Sequence, residues 1–207
     1  HGLDICGTPR ELATRLAFTQ EYCLLTHAPD RPPGRYIGPY SNDAHNTDQD
    51  EFWCVKLKQL IRSCLRQLES KTPIWFTADI KYDFSAQRGI GSVGLYDTAM
   101  LLGLDATDAR SKKWRMKNQN TAPVHAMLLT GVKLSPPNMN GKRHTPQPIS
   151  WRIQNSWGKP GVDGKGFVTV SHEWFKQHVF QVAIESKFAP SDLQHDAPPT
   201  RLPLWDI

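Results

Sequence analysis

The sequence predicts an α+β fold. Two observations carry this: one long amphipathic helical pattern in the first half, and a run of β-type segments after residue 124. The helical pattern opens at Asp48, with Glu51 three residues on in capping-box spacing. Phe52, Val55, Leu60, Ile61, Cys64, Leu65 and Leu68 follow at helical intervals, and the stretch should end near Ser70, before Pro73. Ahead of it, residues 1–46 read as loop-rich, because four prolines and two glycines fall between Pro29 and Pro39. A short helix is expected within Glu11 to Tyr22. Pro73-Ile-Trp-Phe-Thr-Ala-Asp79 is a short buried-strand signal. Residues 81–123 are polar and irregular, with Gly89, Gly91 and Gly94 at turn positions and one helical turn around Tyr96 to Leu102. From residue 124 the strands expected are Val124–Val132, Ser150–Gln154, Gly166–Val170 and Val179–Glu185. A Pro/Asn/Gly loop, Ser135–Gln147, separates the first two, and Ser171 caps a helical turn before the last. The tail from Phe188 reads as an extended arm. The chain therefore divides into a helical and loop-rich segment 1–123, a β segment 124–188 and an arm 189–207.

Composition narrows the class. Of 207 residues 39% are hydrophobic and 22% charged, and seven Trp, eight Phe and five Tyr supply core volume, which excludes a wholly disordered chain. No run approaches the length of a membrane span, and no basic-then-apolar leader opens the chain. The first residue is His1 rather than Met, which reads as a processed product or an excerpt of something longer. The net charge of +5 is mild. One dense cluster, Arg110, Lys112, Lys113, Arg115 and Lys117, reads either as a solvated face or as a phosphate-binding patch. The four cysteines, at 6, 23, 54 and 64, form no C-x-x-C pair and no Cys/His cluster with zinc spacing. All four read as free thiols, and neither metal nor cofactor is expected.

Chemistry is most legible at two strand ends. In Ser150–Asn155 side chains two apart share a face, so Asn155 follows Trp151 and Ile153 inward. A buried Asn must satisfy a carbonyl and two N–H donors. Trp157, close by, can exclude water from whatever bond that Asn makes. His125 opens the other apolar strand. If the two strands are neighbours, an Asn155 carbonyl accepting from one imidazole nitrogen frees the other as a base or ion-pair partner, a geometry suited to a cysteine nucleophile. A lone His at a strand end is more often structural, and both readings stand on spacing alone. The remaining histidines, at 1, 27, 45, 144, 172, 178 and 195, show no partnering pattern and read as surface or loop residues.

The motifs go further than spacing. Val124-His-Ala-Met-Leu-Leu-Thr-Gly-Val132, then Trp151-Arg-Ile-Gln-Asn-Ser-Trp-Gly158, then Lys165-Gly-Phe167, resemble the C-terminal half of a papain-like cysteine peptidase. Glu173-Trp-Phe175, Pro73–Asp79, Leu95-Tyr-Asp97 and Leu202-Pro-Leu-Trp-Asp206 narrow the resemblance to the bleomycin hydrolase family of cysteine aminopeptidases, from about residue 50 onward. The resemblance implies a Cys-His-Asn triad in which His125 is general base and thiolate partner, Asn155 orients it and Trp157 shields their bond. It places the strands after 124 in the β-barrel lobe and the earlier helices in family-specific segments. It also implies peptide substrates, a homo-oligomeric hexamer, a cytoplasmic location without a membrane, and in some members nucleic-acid binding.

The sequence departs from the family pattern where the nucleophile should stand. No cysteine has the Trp-following, helix-opening context of the family. Cys6 lies at about the right distance upstream, but Ile5-Cys-Gly-Thr-Pro9 lacks that context, and no upstream Gln supplies an oxyanion donor. The helical lobe bearing the nucleophile is expected to be missing, and the chain to be inactive alone. Thr77 and Ala78 stand where the family has Gly and Cys, Val124 where Thr is common, and Ile207 follows Asp206 directly, which alters the terminal ruler of an exopeptidase. The alternative is a non-catalytic remnant or splice product that binds the parent protein or nucleic acid.

Overall fold

The computed structural model describes residues 8, 11, 21–38, 51–96, 100, 111–139, 142–143, 145–158, 164–193 and 198–203. Its frame is one mixed sheet of eleven strands. In chain order these are β1 (Tyr22–Thr26), β2 (Gly34–Ile37), β3 (Glu51–Cys54), β4 (Ile74–Ala78), β5 (Phe84–Ser85), β6 (Ile90–Gly91), β7 (His125–Leu134), β10 (Pro148–Gln154), β11 (Phe167–Ser171), β12 (Val179–Glu185) and β13 (Thr200–Arg201). Between β7 and β10, β8 (Asn138–Met139) and β9 (Lys142–Arg143) form a separate hairpin. The spatial order in the large sheet is β13-β2-β3-β1-β12-β4-β7-β10-β11-β6-β5. Among the described residues three α-helices accompany it: α1 (Leu57–Glu69), α2 (Lys112–Lys117) and α3 (His172–His178). The fold is thus mixed α and β, with a dominant sheet and few helices.

Alternation builds the sheet's buried face. Ile74, Phe76 and Ala78 on β4, Met127 and Leu129 on β7, and Trp151 and Ile153 on β10 all point into one core with Trp174 and Phe175 of α3. Trp151 stacks on Phe175 with ring centroids 4.4 Å apart. Helix α1 covers the core with Leu60, Ser63, Cys64 and Gln67, spaced three and four apart. Fully buried Gln67 is satisfied on both sides: its amide donates to the Pro73 carbonyl at 3.1 Å and its carbonyl accepts from Glu185 N–H at 2.9 Å, tying α1 to β12.

Several expectations need correction. The helix expected from Asp48 begins at Leu57; Glu51–Cys54 is the strand β3, and Asp48 lies outside the described residues. A short apolar run such as Phe52 to Val55 satisfies both periodicities, and pairing with β1 and β2 decides for the strand. The cap is local instead, with Lys56 N–H donating to Gln59 Oε1 at 3.0 Å. The Pro29–Pro39 stretch is not loop throughout, because Pro32 and Pro33 precede β2, where no ladder N–H is lost. Segment 1–123, expected to be helical and loop-rich, contributes β1 to β6. Gly91 is a strand residue rather than a turn, while Gly89 and Gly94 do take positive φ. Residues 12–20 of the expected short helix, and most of the expected turn at 96–102, lie outside the described residues. The arm after Phe188 is anchored by β13, which pairs in parallel with β2. Ser171 caps α3 as expected, its Oγ accepting from Trp174 N–H at 3.1 Å.

Candidate active site

His125 is the first residue of β7 and faces Ala78, the last of β4, across the antiparallel ladder. Neighbouring β10 runs the other way, pairing Gln154 with Leu128, so the chain leaving β10 passes back beside the start of β7. Asn155 continues the inward face of Trp151 and Ile153 and is 6% exposed. These two strand ends bring Asn155 Oδ1 to 2.9 Å from His125 Nε2. A carbonyl oxygen only accepts, so Nε2 carries a proton, and in the neutral imidazole Nδ1 is then the nitrogen with the lone pair. The Trp157 indole packs against the imidazole, ring centroids 4.6 Å apart at 40°, with its outer side left half exposed. His125, Asn155 and Trp157 are therefore one cluster. Asn155 Nδ2 is buried and makes no hydrogen bond among the described residues.

The turn carrying Trp157 is set by glycine. Gly158 has φ +77° and Gly166 has φ +79°, both in the left-handed region. A Cβ on Gly166 would lie 2.6 Å from the Gly158 carbonyl oxygen and 3.3 Å from that of Asn155. That close approach lets Asn155 N–H donate to Gly166 O at 2.9 Å, fixing the backbone from which the Asn155 side chain projects. In the sequence Gly166 stands in the Lys165-Gly-Phe167 motif and opens the expected strand Gly166–Val170; a glycine at that strand's edge is the signal of a close backbone approach.

No described cysteine fits the role of nucleophile. Cys23 on β1 and Cys54 on β3 sit three and four strands from β7, at roughly 4.8 Å per strand. Burial pushes the Cys23 thiol up to about 11, raises that of Cys54, and raises that of fully buried Cys64 further. A reactive thiol is held low instead. All three are free, and Cys6 lies outside the described residues. Among the described residues no group of three or more His, Cys, Asp or Glu could hold a metal ion, and no helix is long and apolar enough to cross a membrane. A groove of about 550 Å³ lined by Arg62, Arg66 and Asp192 among others includes neither His125 nor Asn155.

Other polar residues differ from their sequence reading. Of the basic cluster, Lys112 and Arg115 are 2% and 6% exposed, not solvated. Lys112 Nζ donates to the carbonyls of His27 and Val179 at 2.5 and 2.6 Å and lies over the Phe180 ring. Arg115 Nη2 donates to Gln177 O at 2.6 Å. Burial, reinforced by Arg115, lowers Lys112 to about 7. His178 is fully buried, stacked on Trp174 and 3.8 Å from Asp83. His172 Nδ1 accepts from the Trp151 indole at 3.1 Å. A short basic helix, and a histidine closing α3, give no sequence signal of burial, because Lys112 and Arg115 are buried by carbonyls of His27, Val179 and Gln177 and His178 meets Asp83, all far away in the chain.

Residues 8–207 match the Peptidase C1-like family. The chain belongs to that family. This C1-like chain is 28% identical over 190 residues to aminopeptidase E of Lactobacillus helveticus, covering 90% of the chain and 40% of the relative. It is 31% identical over 159 residues to aminopeptidase C of the same organism, covering 73% and 32%. Human bleomycin hydrolase is 26% identical over 152 residues, covering 72% and 31%. In three dimensions it is similar to crystalline PepW from Lactobacillus rhamnosis, with a TM-score of 0.73 and 29% identity over 89% of this chain and 41% of that one. The C1-like chain thus spans about 40% of the length of the first of these relatives.

Proposed function

We propose that this chain carries the histidine and asparagine side of a cysteine aminopeptidase site. His125 is the base and thiolate partner, Asn155 its orienter and Trp157 the shield. The observation that supports the reading is the 2.9 Å contact between His125 Nε2 and Asn155 Oδ1, which leaves Nδ1 to face a thiol. In the reaction Nδ1 takes the thiol proton, and the thiolate adds to the peptide carbonyl carbon. The imidazolium returns that proton to the leaving amine as the C–N bond breaks. The same nitrogen then accepts a proton from water, which attacks the thioester carbonyl, and the acid departs as sulfur regains its proton.

On this reading the thiol is not supplied by this chain, and the chain by itself is inactive. The aminopeptidase relatives support peptides with a free amino terminus as substrates. The hexameric assembly and cytoplasmic setting implied by the resemblance belong to the same proposal. Burial of Lys112 and Arg115 takes two cations of the basic cluster away from solvent, so no observation favours a nucleic-acid-binding module.

Two assays with an aminoacyl-coumarin substrate test the proposal. The isolated chain should show no turnover sensitive to an E-64-type thiol inhibitor. Fused behind the portion of aminopeptidase E that it does not match, it should give inhibitor-sensitive turnover that His125→Ala removes. Inhibitor-sensitive turnover by the isolated chain, or fusion turnover indifferent to His125→Ala, overturns the reading.

A further inference from the structure

Asp79 closes the Pro73–Asp79 motif yet takes no part in the chemistry above. It is fully buried, one residue beyond Ala78, the strand partner of His125. Its backbone N–H donates to the carbonyl of His178 at the end of α3, at 2.9 Å. Its Oδ1 accepts from Lys81 N–H at 3.0 Å. Those bonds fix the carboxyl against β4 and α3. The remaining oxygen, Oδ2, accepts from Thr121 Oγ1 at 2.7 Å, across 42 residues of sequence.

Thr121 stands four residues before His125. The link between them is short and stiff: Pro123 has a fixed φ and no N–H, and Val124 N–H donates to Ala78 O at 3.2 Å. His125 is the first residue of its strand, so that bond is the ladder's hold on its N-terminal side. Beyond it Asn120 is held by its N–H to Arg115 O at 2.8 Å and by Tyr82, and Thr121 adds the hold nearest His125. We propose that Thr121 and Asp79 form a strut that positions His125, with Thr121 the positioning residue on the moving side and Asp79 its anchor. The strut holds the approach to β7 on the β4 side while Asn155 holds the imidazole on the β10 side. An imidazole fixed from both strands keeps Nδ1 aimed within the sub-ångström tolerance that proton transfer and attack demand. The inference rests on the reading of His125 as the base.

The test reads the imidazole of His125 in the intact chain by nitrogen-edited NMR, assigned with His125→Gln. The wild type should show the Nε2–H tautomer with a slowly exchanging ring proton. Thr121→Val keeps the branched shape and removes only the hydroxyl; it should speed exchange of that proton about tenfold, the effect of one lost hydrogen bond. The urea midpoint should also fall, because the fully buried Asp79 carboxyl loses a partner, so the ring-proton exchange and its rescue carry the test. Thr121→Ser should restore the wild-type signal, and Tyr82→Phe, which cuts the neighbouring 2.8 Å bond to Asn120 without touching Asp79, should leave it unchanged. Should Thr121→Val fail to fold, Thr121→Ala gives the same readout without a methyl to fit. If the Thr121 variants exchange like the wild type while Asn155→Ala exchanges faster, the strut is overturned and the His125–Asn155 pair stands. If Asn155→Ala also changes nothing, the pair fails, and the strut with it.

Discussion

Asn155 Oδ1 accepts from His125 Nε2 at 2.9 Å, although thirty residues of chain separate them. Each sits where a strand begins or ends, so the ladder between β7 and β10 sets their separation. The bond selects one tautomer, and it strengthens when the imidazole becomes charged. In the fused enzyme, Asn155→Ala is therefore expected to lower kcat about tenfold with KM nearly unchanged, and His125→Ala to lower it by at least about 100-fold. Equal kcat values for Asn155→Ala and the parent would show that the orientation has no catalytic value.

Trp157 makes a separate prediction. Its indole lies on the imidazole but is half exposed, so the proposed reading makes it a shield for the bond rather than a support of the fold. Trp157→Ala should cost about 1 kcal/mol or less in a urea titration. It should also quicken exchange of the His125 ring proton, and Trp157→Phe should recover part of that protection. A large stability loss with unchanged exchange would make Trp157 a core residue instead.

Gly166→Ala should be far more damaging than its size suggests. The new Cβ meets the Gly158 carbonyl at 2.6 Å and the residue must hold φ +79°. Backbone must move at the two points that carry Asn155 and Trp157, at a cost of roughly 1–3 kcal/mol. Urea unfolding measures this cost. The His125 ring proton should become fast-exchanging in the variant that remains folded. An unchanged midpoint would contradict the close approach.

Acid should destabilise the protein before its carboxyl groups titrate. Burial lowers His27 to about 4, with Lys112 adding to the effect, and burial likewise lowers His172 and His178. In the unfolded chain these side chains take up protons near pH 6.5. Between about pH 6.5 and 4 the unfolded state therefore binds more protons, and stability falls as pH falls. Tm should be lower at pH 5 than at pH 7, and His27→Gln should reduce the difference. A Tm that stays flat over this interval would mean that these histidines titrate alike in both states.

The strands after residue 124 were legible because their apolar residues alternate or run together between clear turn residues, and pairing agrees with that pattern. Val124–Val132, Ser150–Gln154 and Val179–Glu185 lie close to β7, β10 and β12. The inward direction of Asn155 followed from period two alone. The start of α1 was misread because Phe52 and Val55 fit either period, and only neighbours β1 and β2 exclude the helix. Charge marks Lys112, Arg115 and His178 as surface residues by default, but carbonyls of His27, Val179 and Gln177 receive the two cations inside.

What the sequence by itself determined is the chemistry on offer: a histidine opening one apolar strand, an asparagine closing the inward face of another, a tryptophan two residues later, and four cysteines none of which is followed by tryptophan. Tertiary structure alone decided that these strands are neighbours with ends in register, and that Asp79 reaches Thr121. Strand order and long-range side-chain contacts arise from packing strands drawn from the whole chain into one sheet. They depend on pairwise contacts between distant residues, which no local period encodes.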